Sequence, residues 1–104
     1  MDRISKLKEY MKTSEVDSFL QHALALEYIK AGDDEQAKTM FQQLLNKNEN
    51  YVGSYYHLAK LLERNDEKES ALALYQKGML KAKEAGDQHA YNELQSAYED
   101  LMDF

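Results

Sequence analysis

The chain of 104 residues contains no cysteine, no proline, no tryptophan and only four glycines. Without cysteine it forms neither a disulfide nor a thiolate metal site, and it has no cysteine nucleophile. No apolar run approaches the roughly 20 residues that a transmembrane helix needs, and the first residues lack the apolar centre of a signal peptide. Because nothing points to secretion, we expect a cytoplasmic protein.

Basic residues are in the minority. Nineteen acidic residues against thirteen Lys and Arg give a net charge of −6, which argues against general affinity for nucleic acid or for anionic membrane surfaces. Hydrophobic residues make up 43% of the chain and charged residues 31%, as in a globular protein rather than a disordered one. The length allows one domain with a modest core.

Helical periodicity fills the chain. Apolar residues recur at three- and four-residue steps almost throughout, and few stretches alternate as a strand would. Polar clusters divide this pattern into six predicted helices, at 2–12, 15–31, 34–47, 51–65, 67–85 and 88–103. Ser14 and Asp33 are the expected N-caps of the second and third helices, and Gly32 is an expected C-terminal cap. The predicted fold class is all-α.

An internal repeat of about 34 residues organises these helices. At this spacing the matched pairs are Leu24 and Leu58, Ala25 and Ala59, Tyr28 and Leu62, Ala37 and Ala71, Phe41 and Tyr75, and Leu45 and Met79. The period predicts two full helix–turn–helix units, repeat 1 over 18–51 and repeat 2 over 52–85. A capping helix over 1–13 precedes them, and a second capping helix over 86–104 follows them.

The repeated residues resemble the tetratricopeptide repeat. Its pattern is an aromatic residue, Leu-Gly or Leu-Ala, and Tyr, followed by Ala, an aromatic residue and a closing Pro. Repeat 2 supplies Tyr55, Leu58-Ala59, Leu62, Ala71 and Tyr75 for this pattern. The resemblance implies a single domain over 1–104, a right-handed α-solenoid of antiparallel helix pairs with a capping helix at each end.

Several positions depart from the family pattern. Gln21 stands in repeat 1 where the leading aromatic residue is expected, and Glu49 and Lys83 stand where the closing Pro is expected. Gly78 replaces the small residue that permits a close helix contact late in repeat 2. Leu44, its match in repeat 1, is too large for that role.

Small residues should mark the points where paired helices approach to about 8 Å, because only short side chains fit there. These residues are Ala25, Ala37, Ala59 and Ala71. The second helix is apolar on more than one side, Phe19 included, as expected for a helix that is covered on two sides. We assign most tyrosines to packing, namely Tyr10, Tyr28, Tyr55, Tyr75, Tyr91 and Tyr98. Tyr56 instead flanks the core.

The sequence contains no catalytic motif, so we expect neither an enzyme nor a bound cofactor or metal. His22, His57 and His89 lack any metal-binding context, although His22 and His57 lie 35 residues apart and could sit close together. The acidic run Asp33-Asp34-Glu35 fits the start of a helix better than a cation site, because acids favour the positive end of the helix dipole and the EF-hand spacing is missing.

In tetratricopeptide proteins the first helix of each unit lines a concave groove that holds partner peptides. By repeat phase, the matching positions of this chain are His22, Leu26, Ile29, Lys30, Tyr56, Lys60, Glu63, Arg64, Asn92 and Ser96, followed by Glu99 and Asp100. For Leu26 and Ile29, packing under a neighbouring helix is an equally good interpretation.

One subtype of the family holds peptides that end in Asp or Glu through a clamp of Lys and Asn. The matching positions here hold His22, Leu26, Gly53 and His57, so chaperone tails are disfavoured as partners. Lys30 and the two cations of repeat 2, Lys60 and Arg64, would still favour an acidic peptide, an effect that the net negative charge opposes.

The resemblance therefore implies a non-catalytic protein–protein interaction module that binds a peptide or protein segment, with no nucleic-acid or membrane partner. The alternative is a scaffold protein that self-associates as a weak homodimer through a terminal helix. It rests on the apolar residues in the closing segment Leu101-Met102-Asp103-Phe104. The sequence does not identify the partner.

Overall fold

The computed structural model describes residues 2–13 and 18–103, and every regular element in these ranges is an α-helix. The helices are α1 (Arg3–Thr13), α2 (Ser18–Lys30), α3 (Asp34–Lys47), α4 (Gly53–Arg64), α5 (Lys68–Ala85) and α6 (Gln88–Met102). They correspond one to one to the six predicted helices, so the all-α class is confirmed. The expected N-cap Ser14 and the C-terminal Phe104 lie outside the described residues.

The chain divides into two compact units, an N-terminal unit Met1–Asn48 and a C-terminal unit Glu49–Phe104. In the N-terminal unit α2 packs against both α1 and α3, which explains why its apolar residues are not confined to one stripe. The buried apolar residues of this unit are Leu7, Leu24, Ala25, Tyr28, Ala37, Phe41, Leu44 and Leu45. Ala25 and Ala37 have no exposed surface, as the close contact between α2 and α3 requires.

In the C-terminal unit α5 packs against α4 and α6, and α4 also contacts α6. Its buried apolar residues are Tyr55, Leu58, Ala59, Leu61, Leu62, Ala71, Tyr75, Ala82, Leu94 and Ala97. Five of the six residue pairs matched by the 34-residue period are buried in both units: Leu24 is 1% exposed and Leu58 is 3% exposed, for example. In the sixth pair Leu45 is buried and Met79 is half-buried. The helix pairs α2–α3 and α4–α5 therefore use the same positions for their cores.

The turns between helices have specific backbone requirements. Gly32 and Gly86 adopt the left-handed φ angles of 81° and 71° that glycine tolerates best. Each is followed by an aspartate, Asp33 or Asp87, whose carboxylate accepts a hydrogen bond from the backbone N–H three residues on. The turn before α5 has no glycine, and Asp66 takes the left-handed conformation there with a φ of 61°.

Gly78 is the point of closest approach in the C-terminal unit. A Cβ atom added to it would lie 2.7 Å from the Cβ of Tyr55 on α4 and 3.1 Å from the Cδ1 of Leu94 on α6. Real Cβ atoms do not approach a neighbouring carbon to 2.7 Å, so even alanine is too large here. The role predicted for Gly78 is confirmed, and α5 uses it to contact α4 and α6 together.

Two aromatic residues differ from their predicted environments. Phe19, at the start of α2, is 67% exposed, and Tyr10 on α1 is 63% exposed, so their assignment to packed positions is wrong. Both residues lie near the ends of their helices, where neighbouring helices cover less of the helix surface. Tyr91 and Tyr98 are half-buried on α6, which has only α5 and α4 as neighbours in its unit.

Candidate functional site

In the N-terminal unit, the predicted groove residues lie along α2. His22, Leu26 and Ile29 are half-buried, whereas Lys30 is exposed at the C-terminal end of the helix. The His22 ring meets the buried ring of Phe41 edge to face, with 5.7 Å between the ring centroids. Since the three- and four-residue steps place His22, Leu26 and Ile29 on one side of α2, this unit offers a mainly apolar surface with one cation near its end.

In the C-terminal unit, the predicted residues of α4 form a connected group. Tyr56 and Glu63 are half-buried, and Lys60 and Arg64 are exposed. The Nζ of Lys60 lies 5.8 Å from the centroid of the Tyr56 ring and 3.7 Å from Oε2 of Glu63. One ammonium group therefore contacts both an aromatic face and a carboxylate, an arrangement that combines cation–π and charge attraction.

Tyr75 on the neighbouring helix α5 contacts this group of α4 residues through Glu63. It is fully buried in α5, and its hydroxyl donates a hydrogen bond to Oε2 of Glu63. Burial, then the hydrogen bond and charge of Glu63, then the nearby Tyr56 and Asp100, raise the pKa of Tyr75 well above its usual range. The hydroxyl therefore stays protonated and holds the carboxylate of Glu63 in place.

Helical periodicity places Tyr75 only in the core and does not predict its contact with Glu63. A signal was present: Phe41, the matched residue of repeat 1, has no hydroxyl, whereas a buried tyrosine hydroxyl needs a hydrogen-bond partner. Glu63 lies twelve residues earlier on the facing helix α4 and supplies that partner.

The predicted residues of α6 lie on the helix that contacts α4. Asn92, Ser96, Glu99 and Asp100 are all exposed. Their three- and four-residue steps place them on one side of α6. The side chain of Asn92 accepts a hydrogen bond of 2.8 Å from the side chain of Gln88.

We call the eight predicted residues of this unit the α4–α6 face. They are Tyr56, Lys60, Glu63, Arg64, Asn92, Ser96, Glu99 and Asp100. The predicted residues of α2 belong to the N-terminal unit, and their participation in a common groove stays a prediction.

His57 borders the α4–α6 face. Its ring meets that of Tyr56 edge to face at a centroid distance of 5.7 Å. Burial lowers the pKa of His57, and the charge of Glu93 on α6 partly opposes this effect. The imidazole is therefore mainly neutral at pH 7 and belongs to the border of the face rather than to its charged groups.

The arrangement is suited to non-covalent binding. It offers an aromatic ring, an oriented carboxylate and exposed polar side chains, groups that make stacking, hydrogen-bond and charge contacts. Across the described ranges, no three His, Asp or Glu residues are grouped so that they could hold a metal ion. None of the described helices combines the length and the apolarity that crossing a bilayer requires.

Comparison with known proteins gave matches among solved structures. No family model matches the chain, and no curated protein matches it. The crystal structure of a tetratricopeptide repeat domain protein from Salinibacter ruber is 38% identical over 84% of this chain and 98% of that chain, with a TM-score of 0.81. A solution structure of a tetratricopeptide repeat domain protein from Salinibacter ruber is also 38% identical, over 85% of this chain and 89% of that chain, with a TM-score of 0.81.

A more distant structure extends the likeness along the chain. A protein from Bordetella parapertussis is 20% identical over 98% of this chain and 89% of that chain, with a TM-score of 0.85. At this identity the match concerns the fold alone. The fold class that the sequence resemblance implied, an α-solenoid of paired helices, is thereby confirmed.

Proposed function

Because the chain belongs to the tetratricopeptide repeat family, whose members are protein–protein interaction modules, we propose that it binds a segment of a partner protein on the groove side of its helix pairs. The proposed binding residues are those that repeat phase assigns to the groove, on α2, α4 and α6. We propose that the protein acts as a non-catalytic interaction module of the cytoplasm. We also propose that repeat 1 spans 18–51 and that repeat 2 spans 52–85.

One observation carries this proposal. On α4 the ring of Tyr56 is half-buried beside the core, with the ring of His57 against it and the half-exposed side chain of Lys60 over it. A partly exposed aromatic ring that is held by its own helix loses little side-chain entropy when a ligand covers it. Tyr56 is therefore the proposed anchor for a partner side chain.

The expected affinity is modest. Two helix pairs present a short surface, and much of the gain from contacts is offset by the lost freedom of the bound segment. A dissociation constant on the order of micromolar is expected for a single short segment, which corresponds to about −8 kcal/mol.

The test compares two tyrosines. Protein capture from a native lysate is performed with the wild type, with Tyr56→Ala and with Tyr10→Ala, which removes an exposed tyrosine of α1 outside the groove positions. A partner that is retained by wild type and by Tyr10→Ala and lost by Tyr56→Ala supports the proposal. Equal capture by all three, with unchanged circular dichroism, refutes the assignment of Tyr56.

Self-association is the second candidate function. The observation in its favour is Met102, which closes α6 and is 53% exposed beside the half-buried Leu101. An exposed apolar side chain on a terminal helix offers a contact for a second copy. Light scattering at high micromolar concentration tests it: a dimer that Met102→Lys dissociates supports this function, and a monomeric wild type rejects it.

A further inference from the structure

The negative charge of the protein is concentrated in one unit. The C-terminal unit contains eleven Asp and Glu against six Lys and Arg, a net charge of −5. The N-terminal unit contains eight against seven, a net charge of −1. The C-terminal unit, which contains the proposed anchor Tyr56, therefore attracts cationic partners and repels anionic ones.

Within that unit, α6 contributes acids without any compensating base. It includes Glu93, Glu99 and Asp100 and neither Lys nor Arg. Across the α4–α6 face itself, three carboxylates stand against two cations, Lys60 and Arg64. The α4–α6 face thus has a net negative charge, like the C-terminal unit that contains it.

The contacts of Lys60 indicate which kind of ligand group the α4–α6 face can bind. Its ammonium group lies over the Tyr56 ring at 5.8 Å and beside the Glu63 carboxylate at 3.7 Å. The aromatic ring and the carboxylate therefore already hold one cation, supplied by the same helix. Because the Lys60 side chain is 47% exposed, water screens the pair and displacing Lys60 costs little.

The carboxylate of Glu63 already has a fixed orientation in which it can bind a cation. The buried Tyr75 hydroxyl donates to it and fixes its orientation, so binding does not require the carboxylate to be ordered first. Asp100 on α6 is close enough for its charge to act on the same hydroxyl. Carboxylates of both α4 and α6 therefore add to the negative potential around the Tyr75 hydroxyl.

We propose that the α4–α6 face binds a basic segment of the partner, in which a Lys or Arg side chain replaces Lys60 over Tyr56 and beside Glu63. The inference rests on the proposed function and names the chemistry of the partner. It opposes the interpretation that the cations of α4 attract an acidic peptide. Lys60 is already paired with Glu63, and an acidic segment would meet the carboxylates of α6.

Three synthetic peptides test the proposal. They share the same leucines and one tryptophan for detection, and their polar positions are all Lys, all Gln or all Glu. Fluorescence anisotropy with the full chain measures the affinity of each peptide. The Lys peptide should bind most tightly and the Glu peptide least tightly, and added salt should reduce the difference.

Lys60→Gln gives the sharpest result, because Lys60 competes with the partner's cation in this inference and attracts the partner's carboxylate in the other interpretation. Removing the internal competitor should tighten binding of the Lys peptide by about two- to fivefold, the range that a surface ion pair contributes. Lys83→Gln is the matched control: it changes the net charge equally at an exposed position of α5. The control should have a clearly smaller effect.

Asp100→Asn provides the complementary test. Losing this carboxylate should weaken binding of the Lys peptide by about two- to fivefold. Glu84→Gln, an equal charge change at an exposed residue of α5 that pairs with Lys81, should have less effect.

The outcomes separate this inference from the proposed function. Tighter binding of the Glu peptide, a weakening by Lys60→Gln, or equal effects of each variant and its control would overturn the basic partner. If Tyr56→Ala still weakens binding in that case, the groove function stands. If the Lys peptide does not bind, the inference fails. If the peptide that binds most tightly also binds Tyr56→Ala as well as it binds wild type, the assignment of Tyr56 fails too.

Discussion

The close packing of α5 against α4 and α6 depends on Gly78, which has no side chain. Gly78 on α5 faces Tyr55 on α4 and Leu94 on α6, and both neighbours are almost completely buried. A glycine inside a helix costs about 1 kcal/mol of helix stability relative to alanine. The C-terminal unit accepts this cost because the backbone of α5 can then lie directly against the Tyr55 side chain.

Replacing Gly78 with alanine should therefore destabilise the protein, although alanine is the better helix former. The added Cβ would lie 2.7 Å from the Tyr55 Cβ, and such overpacking typically costs about 1–3 kcal/mol. After the gain in helix propensity of about 1 kcal/mol, we expect a net loss of up to about 2 kcal/mol in urea unfolding. Gly53→Ala, at an exposed position of α4, is the control and should be neutral or stabilising.

His57 makes stability depend on pH. Burial lowers its pKa below the ordinary value of 6.5, so the folded state binds the proton less readily than the unfolded state. The stabilisation is present above pH 6.5 and is lost as the pH falls towards the folded pKa, because the unfolded state takes up the proton first. Nearby Glu93 reduces the effect without reversing it.

The corresponding measurement compares urea unfolding of wild type and His57→Gln between neutral and mildly acidic pH. The difference in free energy of unfolding between the two proteins should shrink as the pH falls below about 6.5, the ordinary pKa of histidine. His22 and His89 are present in both proteins, so their contributions cancel. A difference that does not change with pH would show that burial leaves the His57 pKa unaltered.

Single residues also show the limits of prediction from sequence. Gly78 was identified correctly because the family pattern has a small residue at its position. Phe19 and Tyr10 were not, because periodicity assigns a residue to a helix face and does not show where along the helix its neighbour ends. The hydrogen bond from Tyr75 to Glu63 depends on the facing helix, which periodicity within one helix does not describe.

At the scale of helix pairs, the two units fill the same contact in opposite ways. In α4–α5 a large residue on the first helix, Tyr55, meets the smallest residue on the second, Gly78. In α2–α3 the matched positions hold Gln21 and Leu44, both buried. In α2–α3 the bulky apolar residue of the pair is therefore on the second helix instead of the first. The buried Oε1 of Gln21 accepts no hydrogen bond within the described part of the chain.

This exchange predicts coupling between Gln21 and Leu44. Gln21→Tyr alone should destabilise by overpacking, and Leu44→Gly alone should destabilise by leaving a cavity, with Leu44→Ala as the milder form. Together they recreate the arrangement of Tyr55 and Gly78. The double variant should therefore be more stable than the sum of the single effects by roughly 1–3 kcal/mol. Strict additivity in urea unfolding would refute the equivalence of the two pairs.

Helix boundaries were the most predictable feature of the elements. The Gly-Asp turns at 32–33 and 86–87 place a left-handed glycine before an N-capping aspartate, and both are visible in the sequence. The start of α4 was placed two residues too early, because Tyr51 and Val52 form a turn before the helix begins at Gly53. No capping side chain marks that boundary, so the sequence has no local signal for it.

At the scale of the whole molecule, helical periodicity and its polar breaks predicted the six helices, and the 34-residue repeat with its family resemblance predicted the fold class. The resemblance also selected the positions of the candidate site, since repeat phase maps the family's groove positions onto α2, α4 and α6. The chemistry of the partner could not be derived in this way. It depends on how Lys60, Glu63 and Tyr75 combine, and that combination appears only in the folded structure.

The most direct measurement for the central claim is amide chemical-shift mapping of the isotope-labelled chain, titrated with the partner segment that capture identifies. The account predicts the largest changes on the α4–α6 face, at Tyr56, Lys60 and Ser96. The changes should saturate together with a single affinity. Largest changes along α5 at Lys77 and Leu80, with the α4–α6 face unaffected, would contradict it.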